Sequence, residues 1–222
     1  MKERFQFYVN LKKITFSSLG SRSKKLSDNF PFVFGMLNEN AVLMEYIGDS
    51  VDLENTVPNL KSMFKGELFK NDPISSSYFK QILFDVLNAV DALHGFKILH
   101  NDIKADNFIC ARDCVKLIDF GKATLSAFPK SYHIQPGSDV AKRYNTFHRH
   151  LAHELRNIPG SKQSEITDAY SVGFMFKHLS AIVGCEDVII LGKSMKKQDP
   201  KYRLSVKKAV KVLGQLVITA KC

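Results

Sequence analysis

Two polar segments joined by short apolar runs constrain this chain more than any other feature. The first is His100-Asn-Asp-Ile-Lys-Ala-Asp-Asn107, and Asp119-Phe-Gly121 begins twelve residues after its last asparagine. Between them, Asn107-Phe-Ile-Cys110 and Val115-Lys-Leu-Ile118 have the length and apolar content of short strands. The pattern predicts a two-stranded hairpin that turns near residues 111–113, with Asp119 at the end of a buried strand that points into a cleft.

The polar residues of these segments are the types that phosphoryl transfer requires. That reaction needs a carboxylate to orient the attacking hydroxyl, oxygen ligands for Mg²⁺ and positive charge near the transferred phosphate. Asp102 can accept the hydroxyl proton, and Lys104 can neutralise charge on the γ-phosphate. Asn107 and Asp119 carry the hard oxygen atoms that Mg²⁺ prefers. The alternative, that the two aspartates only cap turns, does not explain why Lys104 and Asn107 accompany them.

The Asp-x-x-x-x-Asn spacing followed by Asp-Phe-Gly resembles the catalytic loop and metal-binding motif of eukaryotic protein kinases. The resemblance extends over about residues 30–216. Further stretches resemble kinase motifs in the expected order. Residues 41–49 resemble the fifth strand and the hinge, and residues 151–154 resemble the Ala-Pro-Glu motif. Residues 166–173 resemble the start of the buried helix, and residues 199–204 resemble the late motif, whose Arg203 is expected to pair with Glu154. The resemblance implies an α+β fold with a mostly helical C-terminal lobe.

A long helix is predicted before the catalytic loop. Apolar residues recur at helical spacing from Tyr78 to Leu93, after a run of three serines at residues 75–77 that can cap the helix. Gly95 predicts the end of this helix, because glycine readily adopts the left-handed conformation of a C-terminal cap. By resemblance, this is the long central helix of the large lobe.

The resemblance also assigns residues that support the loop. His100 is expected to pack against Phe120, and Asp168 to accept hydrogen bonds beneath the catalytic loop. Asn101 replaces the arginine that usually reads an activation-segment phosphate, so any activity is expected not to depend on such phosphorylation. Thr146 lies near the position of a threonine that contacts the catalytic aspartate and lysine. A lysine two residues after the catalytic aspartate is typical of serine/threonine kinases.

The resemblance implies ATP and Mg²⁺ as cofactors. The hinge backbone at Glu45 and Ile47 would hold adenine above Ile109, and Asn107 and Asp119 would hold the metal. No Gly-x-Gly-x-x-Gly loop and no Val-Ala-Ile-Lys strand occur before residue 40. The small lobe is therefore expected to lack most of its nucleotide clamp and to retain a helix, within residues 3–19, and two strands.

Length and composition agree with one domain. The 222 residues are 45% hydrophobic and 24% charged, which is ordinary for a globular protein. We expect a single kinase-like domain over residues 1–222, with residues 1–47 as residual small lobe and hinge and residues 48–222 as large lobe. No run of eighteen apolar residues and no signal-peptide core occur, so a cytoplasmic or nuclear protein without a membrane partner is expected. The four cysteines lack zinc-site spacing and are expected to be reduced thiols.

The chain is strongly basic, with a net charge of +10 at pH 7. One basic group lies between the Asp-Phe-Gly and Ala-His-Glu motifs, where it favours an acidic protein substrate or a phosphorylated partner. A solvated basic surface is the alternative interpretation. No interleaved aromatic and basic residues or known nucleic-acid motif supports binding to nucleic acid.

The favoured function is ATP- and Mg²⁺-dependent transfer of phosphate to serine or threonine of a protein. The main alternative is a pseudokinase that acts as a binding or scaffold module, because the glycine-rich loop and the strand lysine are not seen. Phosphorylation of a small molecule is a third possibility, against which the motif at residues 199–204 and the Ala-His-Glu motif argue.

Overall fold

The computed structural model describes residues 29–31, 33–38, 41–47, 57–65, 75–111 and 114–219. The helices in these residues are α1 (Leu60–Lys65), α2 (Ser76–Gly95), α3 (Asp139–Phe147), α4 (His153–Asn157), α5 (Glu165–Val183), α6 (Glu186–Met195) and α7 (Val206–Thr219). The strands are β1 (Val33–Asn38), β2 (Ala41–Met44), β3 (Ile98–Leu99), β4 (Phe108–Ala111), β5 (Cys114–Leu117), β6 (Thr124–Leu125), β7 (Ser131–Tyr132) and β8 (Ser161–Lys162). They form four antiparallel pairs, β1–β2, β3–β6, β4–β5 and β7–β8.

The architecture is the α+β arrangement that the sequence predicts, with a mostly helical large lobe. In the described residues the small lobe consists of the β1–β2 hairpin. The helix predicted within residues 3–19 lies outside the described residues. No helix in the described ranges is both long enough and apolar enough to cross a membrane.

Helix α2 begins where the serine run predicts it. The Ser75 hydroxyl accepts a hydrogen bond from the backbone N–H of Tyr78 at 3.2 Å, which satisfies one of the unpaired donors of the first turn. The helix ends at Gly95 as predicted, but Gly95 is not its cap, because Gly95 is still helical, Phe96 is the C-terminal cap and Lys97 adopts the left-handed conformation with φ of 61°. The Lys97 N–H bonds the carbonyl of His94 at 2.9 Å, and the chain then enters β3.

The β4–β5 hairpin lies on the buried face of α2. Phe108 and Leu117 face each other across the hairpin, and both are fully buried in the main core together with Val86 of α2. Asn29 holds the hairpin from its other side, because its carbonyl accepts the N–H of Leu117 at 2.8 Å and its amide donates to the carbonyl of Val115 at 3.3 Å. The ends of the hairpin are therefore fixed relative to the helical core.

Helices α5 and α6 approach each other closely at two glycines. A Cβ atom on Gly173 would lie 2.6 Å from the Cβ of Met195 and 2.8 Å from the carbonyl oxygen of Gly192. Only Gly184 and Cys185 separate the two helices in the chain, and Gly184 turns it with φ of 75°. The close approach at the two glycines and the short connection together hold α5 against α6.

Candidate active site

Asp168, in the first turn of α5, anchors the catalytic loop from below. Its Oδ2 accepts the backbone N–H of His100 at 2.9 Å, and its Oδ1 accepts that of Asn101 at 3.0 Å. The Nε2 atom of His94, at the end of α2, lies 3.2 Å from Oδ2. The predicted hydrogen-bonding role of Asp168 is confirmed, and these contacts attach the loop to α2 and α5.

His100 holds the loop as a neutral imidazole. Its Nε2 donates to the carbonyl of Ile118 at 3.1 Å, and its Nδ1 accepts the N–H of Asp102 at 3.4 Å. Complete burial lowers the pKa of His100, and this effect outweighs the opposing influence of Asp168. The ring centroid lies 5.3 Å from that of Phe120, so the predicted packing of these rings is confirmed. His100 therefore orients its neighbours rather than exchanging protons.

The carboxylate of Asp102 is buried among three cationic or proton-donating groups. Lys104 Nζ lies 2.9 Å from Oδ2, whereas Lys122 Nζ at 3.0 Å and His150 Nε2 at 3.2 Å both meet Oδ1. Burial raises the pKa of Asp102, but hydrogen bonds from His150, Lys104 and Lys122 outweigh it and hold the pKa far below its usual range. Asp102 is therefore ionised at every physiological pH.

The contact predicted for Thr146 is wrong. Thr146 lies in α3, is exposed, and donates its hydroxyl hydrogen to the carbonyl of Lys142 at 2.8 Å. The chain turns after α3 and brings His150 to Asp102 instead, with the His150 carbonyl held by the hydroxyl of Ser171 at 2.8 Å. Sequence reasoning missed this histidine because its only signal was its position shortly before the Ala-His-Glu motif.

Lys122 is the second residue that sequence reasoning did not assign to the site. It ends a short 3₁₀ turn, Phe120–Lys122, that directly follows Asp119. In the sequence it is one of many lysines in a basic segment, and only its place directly after the Asp-Phe-Gly motif could have signalled its role.

The two predicted metal ligands lie at the same end of the β4–β5 hairpin. A backbone hydrogen bond of 2.9 Å from Ile118 N–H to Asn107 carbonyl extends the ladder to the residue before Asp119. Asn107 is buried and donates its amide hydrogen to the carbonyl of Asp102 at 2.8 Å, which leaves its side-chain oxygen as the ligand atom. The geometry thus brings Asn107, one of the two predicted metal ligands, into contact with Asp102, the predicted catalytic residue.

Asp119 adopts the left-handed conformation, with φ of 62°. Such a conformation costs a non-glycine residue about 1–3 kcal/mol and persists only where its surroundings enforce it. The Oδ1 atom of Asp119 accepts the N–H of Gly121 at 3.3 Å, and a Cβ atom on Gly121 would lie 3.2 Å from that oxygen. The glycine of the motif therefore leaves room for the exposed carboxylate.

This pair of oxygen donors fits Mg²⁺ that arrives with a nucleotide. Mg²⁺ keeps several waters and is usually bound by one or two carboxylates together with substrate phosphates. Across the described ranges no group of three His, Cys, Asp or Glu side chains could hold a metal ion. Asp119 with Asn107 thus has the composition of a site shared with phosphate.

The hinge residues meet the other face of the hairpin. Both carboxylate oxygens of Glu45 lie 2.8 Å from Nζ of Lys116, which is the cross-strand partner of Ile109. Asn59, just before α1, pairs with Ile109 in an isolated bridge. The predicted residues Glu45 and Ile109 are thus brought together around Lys116, whereas Ile47 lies two residues farther on and is half buried.

A cleft of about 600 Å³ opens beside the catalytic loop. Asp102, Lys104 and Asn107 line one end, and an apolar face of α5 with Phe174 and Ile182 lines the other. The predicted hinge residues are not part of its lining. The cleft is therefore where a protein segment could present a hydroxyl to Asp102.

The predicted scaffold ion pair is present and bidentate. Arg203 Nη1 and Nη2 lie 2.7 and 3.0 Å from the two carboxylate oxygens of Glu154. The guanidinium also donates to the carbonyls of Ile166, Lys197 and Gln198. The Arg203 side chain is fully buried, so this network fixes α4 to the segment before α7.

Comparison with known proteins agrees with this site. The family model of the protein kinase domain matches residues 39–183, well over half of the chain. The chain belongs to the protein kinase family. Protein kinases in general use ATP and Mg²⁺ and act on proteins.

Individual relatives match shorter stretches. Serine/threonine-protein kinase NLK2 of Xenopus laevis is 33% identical over 109 residues, which cover 48% of this chain and 22% of that protein. Mitogen-activated protein kinase 12 of Oryza sativa subsp. japonica is 27% identical over 110 residues, 49% of this chain and 18% of the relative. Serine/threonine-protein kinase 1 of Heliothis zea nuclear polyhedrosis virus is 26% identical over 103 residues, which cover 44% of this chain and 39% of that protein. The matches therefore span only a fifth to two fifths of these relatives.

Proposed function

We propose that this chain is a protein kinase that transfers phosphate from Mg²⁺-bound ATP to serine or threonine residues of a protein. The observation that carries the proposal is the buried, ionised carboxylate of Asp102, which lines a cleft, lies 2.9 Å from Lys104 Nζ and has the amide of Asn107 bonded to its backbone carbonyl. We take residues 1–222 as one domain, with the small lobe and hinge up to residue 47.

Asp102 would orient the attacking hydroxyl and accept its proton as the bond to phosphorus forms. Because its pKa is low, Asp102 is a weak base, which suits a loose transition state in which the proton leaves late. Lys104, 2.9 Å from Asp102, would neutralise charge on the transferred group. Positioning and charge neutralisation are then the main contributions of the protein.

The nucleotide would lie between the hinge and the hairpin. The backbone of Glu45 and Ile47 would bind adenine, with Ile109 beneath the ring, and Asn107 and Asp119 would hold Mg²⁺. Held by these two residues, Mg²⁺ would offset the negative charge of the phosphates. A protein kinase of this kind would act where ATP is abundant, in the cytoplasm or nucleus, and the basic segment around the cleft favours an acidic protein as substrate or partner.

Activity would not depend on phosphorylation of the activation segment. The Asn101 amide donates to the carbonyl of Lys122 at 3.0 Å and to the hydroxyl of Thr124 at 2.9 Å, and it carries no charge. It therefore cannot act as a cationic receptor for a phosphate on Tyr144 or Thr146.

A catalytically impaired pseudokinase is the second candidate function. Lys122 and His150 already occupy Oδ1 of Asp102, so an incoming hydroxyl must compete for this carboxylate. In this case the cleft would serve to bind a partner.

Transfer of γ-labelled phosphate from ATP to acidic and basic test proteins separates the two functions. We expect transfer by the wild type in Mg²⁺, none by Asp102→Asn, and unchanged transfer by Asp187→Asn, a control carboxylate on the exposed side of α6. Phosphatase treatment of the wild type should not reduce the rate. Equal labelling by wild type and Asp102→Asn would contradict the kinase assignment and favour the pseudokinase.

A further inference from the structure

The surroundings of Asp102 contain more positive charge than this one carboxylate balances. Lys104 and Lys122 both place their ammonium groups within 3.0 Å of it, and His150 adds a third donor. The other acid that lines the cleft, Asp106, is already paired with Lys61 at 2.6 Å. The charged side chains that line the cleft therefore leave one ammonium charge unbalanced, which favours a bound anion.

The backbone of Lys122 is fixed between the metal-binding motif and the catalytic loop. Lys122 is the last residue of the 3₁₀ turn that begins after Asp119, and its carbonyl accepts the amide hydrogen of Asn101 at 3.0 Å. The Lys122 side chain is 55% exposed and lines the cleft, whereas the Asp102 side chain is 3% exposed. The ammonium group can thus move while its attachment point stays in place.

We propose that Lys122 is a further catalytic residue that contacts the γ-phosphate of ATP on the side of Asp102 opposite Lys104. This inference rests on the proposed kinase function. Lys122 pairs with Oδ1 of Asp102 when no nucleotide is bound. It turns to the γ-phosphate when ATP binds, and Oδ1, which keeps its contact with His150, can then accept a hydrogen bond from the substrate hydroxyl in place of Lys122.

Distances and charge support this movement. A hydroxyl oxygen that donates to Asp102 lies about 2.7 Å from the carboxylate, and the phosphorus it attacks lies roughly 3–3.5 Å beyond. Lys122 Nζ, now 3.0 Å from Oδ1, can cover that distance by rotating its flexible four-carbon stem. The γ-phosphate carries more negative charge than the single carboxylate, so the ammonium gains by the exchange.

Because ADP lacks the γ-phosphate, the inference can be tested by binding alone. We would measure the affinities of ATP and ADP in Mg²⁺ by calorimetry for wild type, Lys122→Ala, Lys122→Arg and Lys142→Ala. Lys142 is a matched control, an exposed lysine of α3 that pairs with Asp139. Lys122→Ala should weaken the affinity for ATP roughly tenfold, which is the scale of one charge-assisted hydrogen bond. It should change the affinity for ADP less than about twofold. Lys122→Arg should recover most of the loss, and Lys142→Ala should change neither.

The inference would be overturned if Lys122→Ala weakened the binding of ATP and ADP equally, or weakened the binding of neither. Circular dichroism at the working temperature checks that each variant is folded, and Lys122→Gln replaces Lys122→Ala if the alanine variant is not. If the wild type binds and transfers phosphate but Lys122→Ala behaves identically, only the role of Lys122 fails. If the wild type binds neither nucleotide, both the proposed kinase function and the role of Lys122 fail.

Discussion

His100 and Asp102 couple the stability of the site to pH. Both side chains have a lower pKa in the folded protein than in the unfolded chain. When the pH falls below the unfolded-state pKa of either group, the unfolded chain therefore binds more protons than the folded protein, and acid favours unfolding. Stability contributed by His100 is complete above about pH 6.5 and is lost as pH falls below it. The contribution of Asp102 is complete above about pH 4 and is lost at lower pH.

We therefore expect the free energy of unfolding to fall in two steps on acidification. Urea titrations at a series of pH values between 8 and 3 would measure it. His100→Gln should reduce the first step, and Asp102→Asn should flatten the second. His148 and His153 also have pKa values lowered by burial, but both are more exposed and should contribute less to the first step. A wild-type stability that does not change between pH 8 and 5 would contradict the neutral, buried state of His100.

Single residues show where sequence reasoning reached its limit. Asp102, Asn107 and Asp119 could be proposed as site residues because the chemistry expected of each is tied to a fixed local spacing. Lys122 and His150 could not be assigned, because they reach Asp102 through the path of the chain after Asp119 and after α3. That path is set by tertiary packing, which a local pattern does not contain.

At the scale of elements, the contact of α5 with α6 depends on glycine. We expect Gly173→Ala to destabilise the protein by about 1–3 kcal/mol, because its methyl group would overlap Met195 and the backbone at Gly192. Gly95→Ala is the matched control, since a Cβ atom there meets nothing within 4 Å and φ is not positive. It should be neutral or slightly stabilising in chemical denaturation. Equal losses for the two variants would show that α5 and α6 are not in close contact.

The ion pair between Glu154 and Arg203 should have a large coupling energy. Because Arg203 is fully buried, Glu154→Ala leaves an unpaired charge and should cost about 3–5 kcal/mol, as should Arg203→Ala. The double variant should cost much less than the sum of the two. Small, additive changes in a double-mutant denaturation cycle would mean that the residues are not paired in solution.

The elements also differ in how well the sequence predicts them. Helix α2 and the β4–β5 hairpin follow from apolar periodicity and from the serine cap at Ser75. Helix α3 was not predicted, and it turns Thr146 toward solvent. The Glu154–Arg203 pair, 49 residues apart, came only from family resemblance, because no local rule connects such distant positions.

At the scale of the whole molecule, the described part of the small lobe meets the large lobe at the β4–β5 hairpin. Glu45 binds Lys116 from the hinge, and Asn29 bonds the backbone of β5. One end of the same hairpin carries both predicted metal ligands, Asn107 and Asp119, and the Asn107 amide bonds the backbone carbonyl of Asp102. The hairpin thus connects the expected adenine site with the expected phosphate site.

The central claim is that this hairpin end brings Mg²⁺-bound ATP to Asp102, and the metal dependence of ATP binding tests it most directly. We would measure ATP affinity by calorimetry with Mg²⁺ and with a chelator, for wild type, Asp119→Ala and Asp102→Asn. The wild type should bind ATP only in Mg²⁺, Asp119→Ala should lose at least about tenfold in affinity, and Asp102→Asn should still bind. Equal ATP affinity with and without Mg²⁺, unchanged by Asp119→Ala, would contradict the claim.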